Sequence, residues 1–145
     1  MYITLEADYA VRITSVLCKA EGRLDAKVIS EMTCVTLRFS LKILRKLVAA
    51  GLVRSYKGTT GGYTIARDPK DITLKDVIEA IEGRYCFSRC LQPDNECSRS
   101  ASGECPFQDA FCDITRVVSE KLESHNFAEL NSKYEKKETI TSRTE

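Results

Sequence analysis

The chain has 145 residues, of which 43% are hydrophobic and 30% charged, and its formal net charge is +1. This length suits one domain that buries roughly two thirds of its unfolded surface. No segment approaches the ~18 consecutive apolar residues of a membrane span. The opening MYITLEADYAVR lacks the basic region of a secretory signal. We therefore expect a cytoplasmic protein that does not associate with a membrane.

Two helices are predicted at the start of the chain. Residues 4–20 carry apolar side chains at helical spacing and have a threonine at the N-cap position. A short second helix follows Asp25, with Val28, Ile29 and Met32 as its buried side.

The strongest helical pattern is TLRFSLKILRKLVAAG, residues 36–51, which predicts a third helix after a tight connection. A glycine follows its last turn, as is common at helix C-termini. Basic side chains project from the other faces. The apolar stripe expected to face the core consists of Leu37, Leu41, Leu44, Leu47 and Val48.

The remaining elements are a hairpin and further helices. The β-prone runs LVRSY and YTIA flank a glycine-rich tip, which predicts a β-hairpin. A fourth helix is expected over 73–82, and Pro106 can open a long fifth helix to about residue 124. A short last helix should end near residue 130, before a polar tail. The predicted fold is mainly α with a small β-hairpin wing.

Basic residues are concentrated in one part of this nearly neutral chain. The segment 33–67 contains seven basic residues and no acidic one. Such a concentration suggests a polyanionic partner, although a solvated basic face gives the same pattern. The seven are Arg38, Lys42, Arg45, Lys46, Arg54, Lys57 and Arg67.

The order helix, helix, tight turn, basic helix and glycine-tipped hairpin is that of a winged helix-turn-helix. The N-terminal part of the third helix would enter the major groove of double-stranded DNA, and the hairpin tip would approach a phosphate or the minor groove. Phe39 could instead belong to the core. The candidate DNA contacts are Thr36, Arg38, Phe39, Lys42, Lys57, Gly58, Thr59 and Gly61.

Five of the seven cysteines lie between Cys86 and Cys112. In a reducing compartment they suit metal ligation or redox chemistry better than structural disulfides. The Cys86–Cys90 pair is spaced C-x3-C, so zinc remains an alternative to an iron–sulfur cluster. The other two, Cys18 and Cys34, are expected to be small buried hydrophobic residues.

The segment VTLRFSLKILRKLVAAGLVRSYKGTTGGYTIARDPKDITLKDVIEAIEG resembles the DNA-binding half of the Rrf2 family of winged-helix regulators. The opening ITLEADYAVR, the KGTTGGY wing and ITLKDVIEAIEG before a cysteine loop carry the resemblance, which covers about residues 1–130. It implies a homodimeric transcription regulator whose long helix, 106–124, pairs with its twin. No set of nucleophile, base and acid is visible, so an enzyme is not expected.

The resemblance also implies a cofactor. By similarity to cluster-binding members, Cys90, Cys97 and Cys105 would hold an iron–sulfur cluster of the 4Fe-4S or 2Fe-2S type. Many such members have a histidine three residues after the third cysteine, where this chain has Gln108.

The fourth ligand is therefore an open question. Asp8 matches the acidic residue that some members supply from the first helix of the partner subunit. It could also serve only to stabilise the N-terminus of its own helix. Cys112 and Cys86 are the alternative ligands.

These observations divide the chain into four parts: a DNA-binding winged helix (1–83), a cysteine-rich loop (84–105), a dimerisation helix with a short last helix (106–130) and a polar tail (131–145). The expected function is a transcription regulator whose DNA binding is controlled by the cluster, through iron, redox or nitric oxide sensing. The alternative regulator uses zinc, thiol oxidation or a protein partner. A thiol oxidoreductase is disfavoured because no C-x2-C opens a helix after a strand.

Overall fold

The computed structural model describes residues 2–94, 97 and 105–141, with backbone alone for 137–141. Within this part of the chain lie six α-helices, a two-stranded sheet and two short 3-10 helices. The helices are α1 (Leu5–Lys19), α2 (Ala26–Thr33), α3 (Leu37–Ala49), α4 (Leu74–Glu82), α5 (Pro106–Glu123) and α6 (Phe127–Thr141). The strands are β1 (Val53–Tyr56) and β2 (Gly62–Ile65), and the 3-10 helices span Pro69–Asp71 and Arg89–Leu91.

Helix α1 lies at the centre of the fold, where it contacts α2, α3, α4, α6 and β2. Thr4 caps it as predicted, because the Ala7 amide donates to the Thr4 hydroxyl at 3.2 Å. Its fully buried stripe is spaced by three or four residues, as a helix packed on one side requires. This stripe consists of Ala7, Ala10, Ile13, Thr14 and Leu17.

The predicted buried faces of α2 and α3 need correction. On α2, Ile29 is buried, whereas Val28 is 41% and Met32 59% exposed, because this two-turn helix presents one narrow face to α1 and α3. On α3, Leu37 is 43% exposed and Leu41 is half-buried. The face that enters the core instead consists of Ser40, Ile43, Leu44 and Leu47.

Ser40 explains the rotation of α3. A serine does not register in an apolar pattern, yet its side chain is fully buried. Its hydroxyl donates to the Val35 carbonyl at 3.4 Å, so the polar group is satisfied without water. Leu37 and Leu41 are thereby left on the outward side of the helix.

The hairpin is the predicted wing. Its strands pair antiparallel, with Val53 opposite Ile65 and Tyr56 opposite Gly62. Backbone hydrogen bonds of 3.0 and 2.9 Å join Leu24 to Tyr63, which attaches the wing to the connection between α1 and α2.

The helices after the wing are α4, α5 and α6. Thr73 and Asp76 form a capping box at the start of α4. Both α4 and α5 have the predicted bounds to within a residue. The prediction of a short last helix was wrong, because α6 continues to Thr141 instead of ending near residue 130. The sequence of α6 lacks glycine and proline, which favours a longer helix. In addition, Asn131 accepts a hydrogen bond of 2.6 Å from the Ser15 hydroxyl and donates one of 3.3 Å to the Ser15 carbonyl.

No helix in the described part of the chain combines the length and the apolar character that crossing a membrane requires.

We predict that Gly62→Ala destabilises the protein by about 1–3 kcal/mol. Gly62 has φ +145°, and a Cβ there would lie 2.8 Å from the Leu24 carbonyl oxygen, on the backbone that holds the wing. Urea denaturation measures the change. Gly22→Ala is the control, because a Cβ at Gly22 meets nothing within 4 Å. Equal stabilities of the two variants would contradict the prediction.

Candidate DNA-binding surface and cysteine loop

The outward side of α3 forms an open, basic groove. Thr36 precedes the helix and is exposed, as are Arg38, Lys42 and Arg45. The two leucines that α3 does not bury give this groove an apolar floor. The groove, called the α3 surface below, is lined by Thr36, Leu37, Arg38, Phe39, Leu41, Lys42 and Arg45. The structure thus brings together the four candidate DNA contacts of the third helix.

Phe39 lies at the edge of this surface. Its ring is half-buried and meets the Tyr9 ring edge-on, with centroids 5.7 Å apart. Lys42 places its ammonium 5.4 Å from the centre of the same ring. Phe39 therefore packs α3 against α1 and also supports a basic side chain of the α3 surface.

The wing tip presents Lys57 and Thr59 to solvent. Gly58 has φ +96°, which favours glycine, and has open space around it. Gly61 has a purely structural reason to be glycine, because a Cβ there would lie 2.6 Å from the Tyr56 carbonyl oxygen.

Arg23 supports the wing from the α1–α2 connection, a contact that the sequence did not indicate. Its guanidinium stacks 3.8 Å from the centre of the Tyr56 ring and donates to the Thr60 carbonyl at 3.4 Å. The Thr64 side chain, as the larger cause, and nearby arginines lower the pKa of Tyr56.

An acidic residue that sequence reasoning missed faces the basic helix. Glu6 of α1 places Oε1 2.8 Å from the Lys46 Nζ and Oε2 3.1 Å from the Lys42 Nζ. The Lys46 contact, and then the Lys42 contact, lower the pKa of Glu6. Nothing in the sequence indicates a contact between residues so far apart. Because the segment 33–67 contains no acidic residue, its lysines have no acidic partner within the segment itself.

Lys46 also connects α3 to the end of α4, through a bond of 3.2 Å from its ammonium to the Ile81 carbonyl. The next residue, Glu82, accepts hydrogen bonds of 2.8 Å from both the amide and the hydroxyl of Thr4. The last turn of α4, immediately before the cysteine loop, is thus bonded to α1 and to α3.

The first half of the cysteine loop packs on α5. The Phe87 amide donates to the Thr115 hydroxyl at 3.1 Å, and the Phe87 and Phe111 rings lie 5.5 Å apart. Gln108, at the position where the resemblance would place a histidine, donates to the Cys90 carbonyl at 3.4 Å. Its amide therefore contacts the backbone of a candidate ligand.

Two of the three candidate cluster ligands are half-buried. The Cys90 thiol lies 3.3 Å from the Ser88 hydroxyl, and Cys105 is the N-cap residue of α5. Cys105 therefore lies at the junction between the cysteine loop and α5.

Cys97 is exposed, and the neighbouring residues 95–96 and 98–104 lie outside the described residues. Among the residues that the structure describes, no three His, Cys, Asp or Glu side chains converge into a metal site. The structure therefore leaves the predicted triad unassembled within the described residues.

The three candidates for a fourth ligand lie on different elements. Asp8 is on α1 and forms an ion pair of 2.7 Å with Arg12. Cys112 is exposed on α5. Cys86 is in the loop, where its thiol contacts the Leu91 carbonyl at 3.8 Å.

The remaining cysteines differ from each other. Cys18 is half-buried against the core, and burial raises its pKa to about 12. Cys34 was wrongly expected to be buried: it is exposed at the C-cap of α2, with φ +54°. A residue with left-handed backbone angles ends α2 here and begins the connection to α3.

Three helices followed by a two-stranded wing, with a basic outward surface on the third helix, define a winged helix-turn-helix DNA-binding protein. Residues 3–133 match the family described as "Rrf2: Iron-dependent Transcriptional regulator". The chain belongs to this family of DNA-binding transcription regulators.

Individual relatives agree with this assignment. The chain is 29% identical over 124 residues to protein aau3 of Rhizobium meliloti (strain 1021), covering 84% of this chain and 75% of the relative. It is 28% identical over 132 residues to the HTH-type transcriptional regulator IscR of Serratia proteamaculans (strain 568), covering 90% and 79% respectively. Three further relatives match over 46%, 41% and 56% of their own length.

Solved structures show the same fold. The structure of CymR (YrzC), described as the global cysteine regulator of B. subtilis, matches with a TM-score of 0.70 and 26% identity, covering 91% of this chain and 97% of that one. T. potens IscR matches with a TM-score of 0.72 and 24% identity, covering 92% and 88% respectively.

We predict that Cys34 reacts with iodoacetamide at pH 8 much faster than Cys18. Thiolates are the reactive form, Cys34 is exposed, and the Cys18 pKa of about 12 keeps that thiol protonated. Mass spectrometry of peptides from the folded protein measures both rates, and denatured protein serves as the control, since both thiols should react there. Equal rates in the folded protein would contradict the burial of Cys18.

Proposed function

We propose that the DNA affinity of this regulator is controlled by an iron–sulfur cluster ligated by Cys90, Cys97 and Cys105. The observation that carries this proposal is the position of the loop. It begins after the last turn of α4, which is bonded to α3 through Lys46, and it ends at Cys105, the N-cap residue directly before α5. A group held by the loop would therefore lie between the DNA-binding unit and the long helix.

The donor chemistry fits a cluster, because thiolates are its usual ligands. Cys90 and Cys105 are both half-buried, Gln108 contacts the Cys90 carbonyl at 3.4 Å, and Cys105 lies directly before α5. When bound, the cluster supplies a group that responds to iron, oxidants or nitric oxide. The protein's own part is to hold it with three thiolates and to position the loop on α5.

Asp8 of the partner subunit is the proposed fourth ligand, with Cys112 and Cys86 as alternatives. Its carboxylate is occupied by Arg12 within the monomer, at 2.7 Å. Ligation of a cluster would require Asp8 to leave that exposed pair, which costs little because surface ion pairs are weak.

The regulator is proposed to act as a homodimer in the cytoplasm, bound to an operator in double-stranded DNA. Helix α5 supports this proposal, because three large apolar residues on it are exposed: Phe107 (66%), Ile114 (39%) and Val117 (55%). Their spacing of seven and three residues places them along one side of the helix, and an antiparallel or crossed twin would cover them.

A second candidate is the same regulator without a cluster. One solved relative is described as the global cysteine regulator of B. subtilis, whereas the family description names iron, so these descriptions name different signals. In that case zinc, direct thiol oxidation or a protein partner would act on the loop.

The direct test is purification without oxygen, followed by iron and sulfide assays and a visible spectrum. We expect bound iron and sulfide and a visible chromophore. Replacing Cys90, Cys97 or Cys105 by serine should abolish the chromophore, whereas Cys34→Ser, at an exposed thiol of the α2–α3 turn, should leave it intact. A colourless protein that contains zinc and no iron would overturn the cluster proposal and favour the second candidate.

The fourth ligand needs a separate variant. Asp8→Ala should shorten the lifetime of the chromophore in air, while Asp113→Ala, which removes an exposed carboxylate 3.5 Å from Arg116 on α5, should not. An unchanged lifetime in Asp8→Ala would exclude Asp8 and direct attention to Cys112 and Cys86.

The proposed DNA surface predicts specific losses of affinity. Arg38→Ala and Lys57→Ala should each weaken binding to an operator selected from a random DNA pool and reduce the slope of log K against log salt by about 0.9, because each loses a phosphate contact. Fluorescence anisotropy at several salt concentrations measures both. Lys70→Ala, at an exposed lysine of the 3-10 helix Pro69–Asp71, is the control. Unchanged binding in both wing and α3 variants would refute this surface.

A further inference from the structure

We propose that Glu6 is a positioning residue of the DNA-binding surface. Its carboxylate holds Lys42 against the protein until a DNA phosphate replaces that carboxylate as the partner of the Lys42 ammonium. This inference rests on the proposed function in one respect, that the α3 surface contacts DNA. It does not depend on a cluster.

The two partners of this ion pair differ in their freedom to move. The side chain of Glu6 is 18% exposed, whereas that of Lys42 is 55% exposed. Glu6 is fixed in the first turn of the central helix α1, between α1 and α3. Lys42 is a long side chain on the outward groove, and it is therefore the partner that can leave.

A second lysine lowers the free energy needed to move Lys42 away from Glu6. Lys46 lies 2.8 Å from the other carboxylate oxygen of Glu6 and is itself held by the Ile81 carbonyl. Removing the partner of an enclosed charge is costly when the charge is left alone. Here Lys46 stays beside Glu6 after Lys42 has moved, so the carboxylate keeps a compensating charge.

The geometry of α3 places the Lys42 ammonium where it can also contact a DNA phosphate. Lys42 lies four residues after Arg38, so both side chains project from the same side of the helix, one turn apart. Arg38, Lys42 and Arg45 line one open groove. A phosphate that enters the groove between these cations would compete with the Glu6 carboxylate for the Lys42 ammonium, and DNA offers a row of such phosphates.

This arrangement predicts that the carboxylate of Glu6 opposes DNA binding. Glu6→Gln keeps the shape of the side chain and removes the competing charge. We expect Glu6→Gln to bind a random-sequence duplex up to about fivefold more tightly at low salt, the upper end of what a surface ion pair contributes. The slope of log K against log salt should become steeper by up to about one.

The matched control is Glu31→Gln, which makes the same change of charge at an exposed carboxylate on α2. We expect less than about a twofold change there, because only screened long-range electrostatics are altered. Fluorescence anisotropy at four or more salt concentrations, with protein prepared both with and without iron, gives the affinities and slopes.

A double-mutant cycle separates exchange of Lys42 from a general effect of charge or of structure. Lys42→Ala should lose affinity, and adding Glu6→Gln to it should produce no further gain beyond that of the Glu31→Gln control. If Glu6→Gln lowers the melting temperature, Glu6→Asp repeats the test, because its shorter side chain weakens the Lys42 contact while retaining the charge. Glu6→Asp should then show a smaller gain that also disappears in the Lys42→Ala background.

Three results would contradict one or other statement, and they are distinguishable. No gain in Glu6→Gln, or the same gain with and without Lys42, overturns the inference about Glu6. Unchanged binding in Lys42→Ala overturns the assignment of the α3 surface itself. Absence of iron from the protein affects neither result, because the cycle is measured on protein prepared with and without iron.

Discussion

The ammonium of Lys46 joins the three helices on which the rest of the structure depends. It extends from α3, contacts the Glu6 carboxylate of α1 at 2.8 Å and donates to the Ile81 carbonyl of α4 at 3.2 Å. Carbonyls in the last turn of a helix carry partial negative charge and lack partners within the helix, so a lysine there is stabilising. One cation thereby fixes the DNA-facing helix relative to the helix that leads into the cysteine loop.

The first half of the loop is attached to the body of the protein at several places. At its start, Glu82 accepts two hydrogen bonds from Thr4 at the beginning of α1. Further along, the Phe87 amide is bonded to Thr115 and the Cys90 carbonyl to Gln108. Thr115 and Gln108 both lie on α5. A change in the loop would therefore act on α4 and α5 together. In the proposed regulator, α4 is bonded to α3 and α5 would pair with the partner subunit, so the loop would connect the two parts that a switch has to couple.

Local signals predicted most of the fold correctly. Thr4 and Asp25 cap α1 and α2, the capping box of Thr73 begins α4, and Pro106 begins α5. The errors arose where tertiary contacts determine which face of a helix is buried or where a helix ends. Ser40 enters the core because Val35 accepts its hydroxyl, which moves Leu37 outward. The length of α6 depends in part on Asn131 meeting Ser15, more than a hundred residues away in sequence.

The candidate site was predictable in part. The α3 surface follows from the helical repeat, which places Arg38 and Lys42 on one side of the helix. Glu6 could not be found, because its partners are distant in sequence. The structural role of Gly61 depends on the close approach of the Tyr56 carbonyl. The assignment of Cys90, Cys97 and Cys105 came from resemblance, and it remains a prediction.

Control of DNA binding by the cysteine loop is tested most directly by one comparison of affinities. DNA selected from a random pool by anaerobically purified protein is titrated with that preparation, and again after chelation has removed the iron. We predict dissociation constants that differ by about tenfold or more, equivalent to a coupling of about 1.4 kcal/mol. Equal dissociation constants from preparations that differ in iron content would contradict control of DNA binding by the cluster.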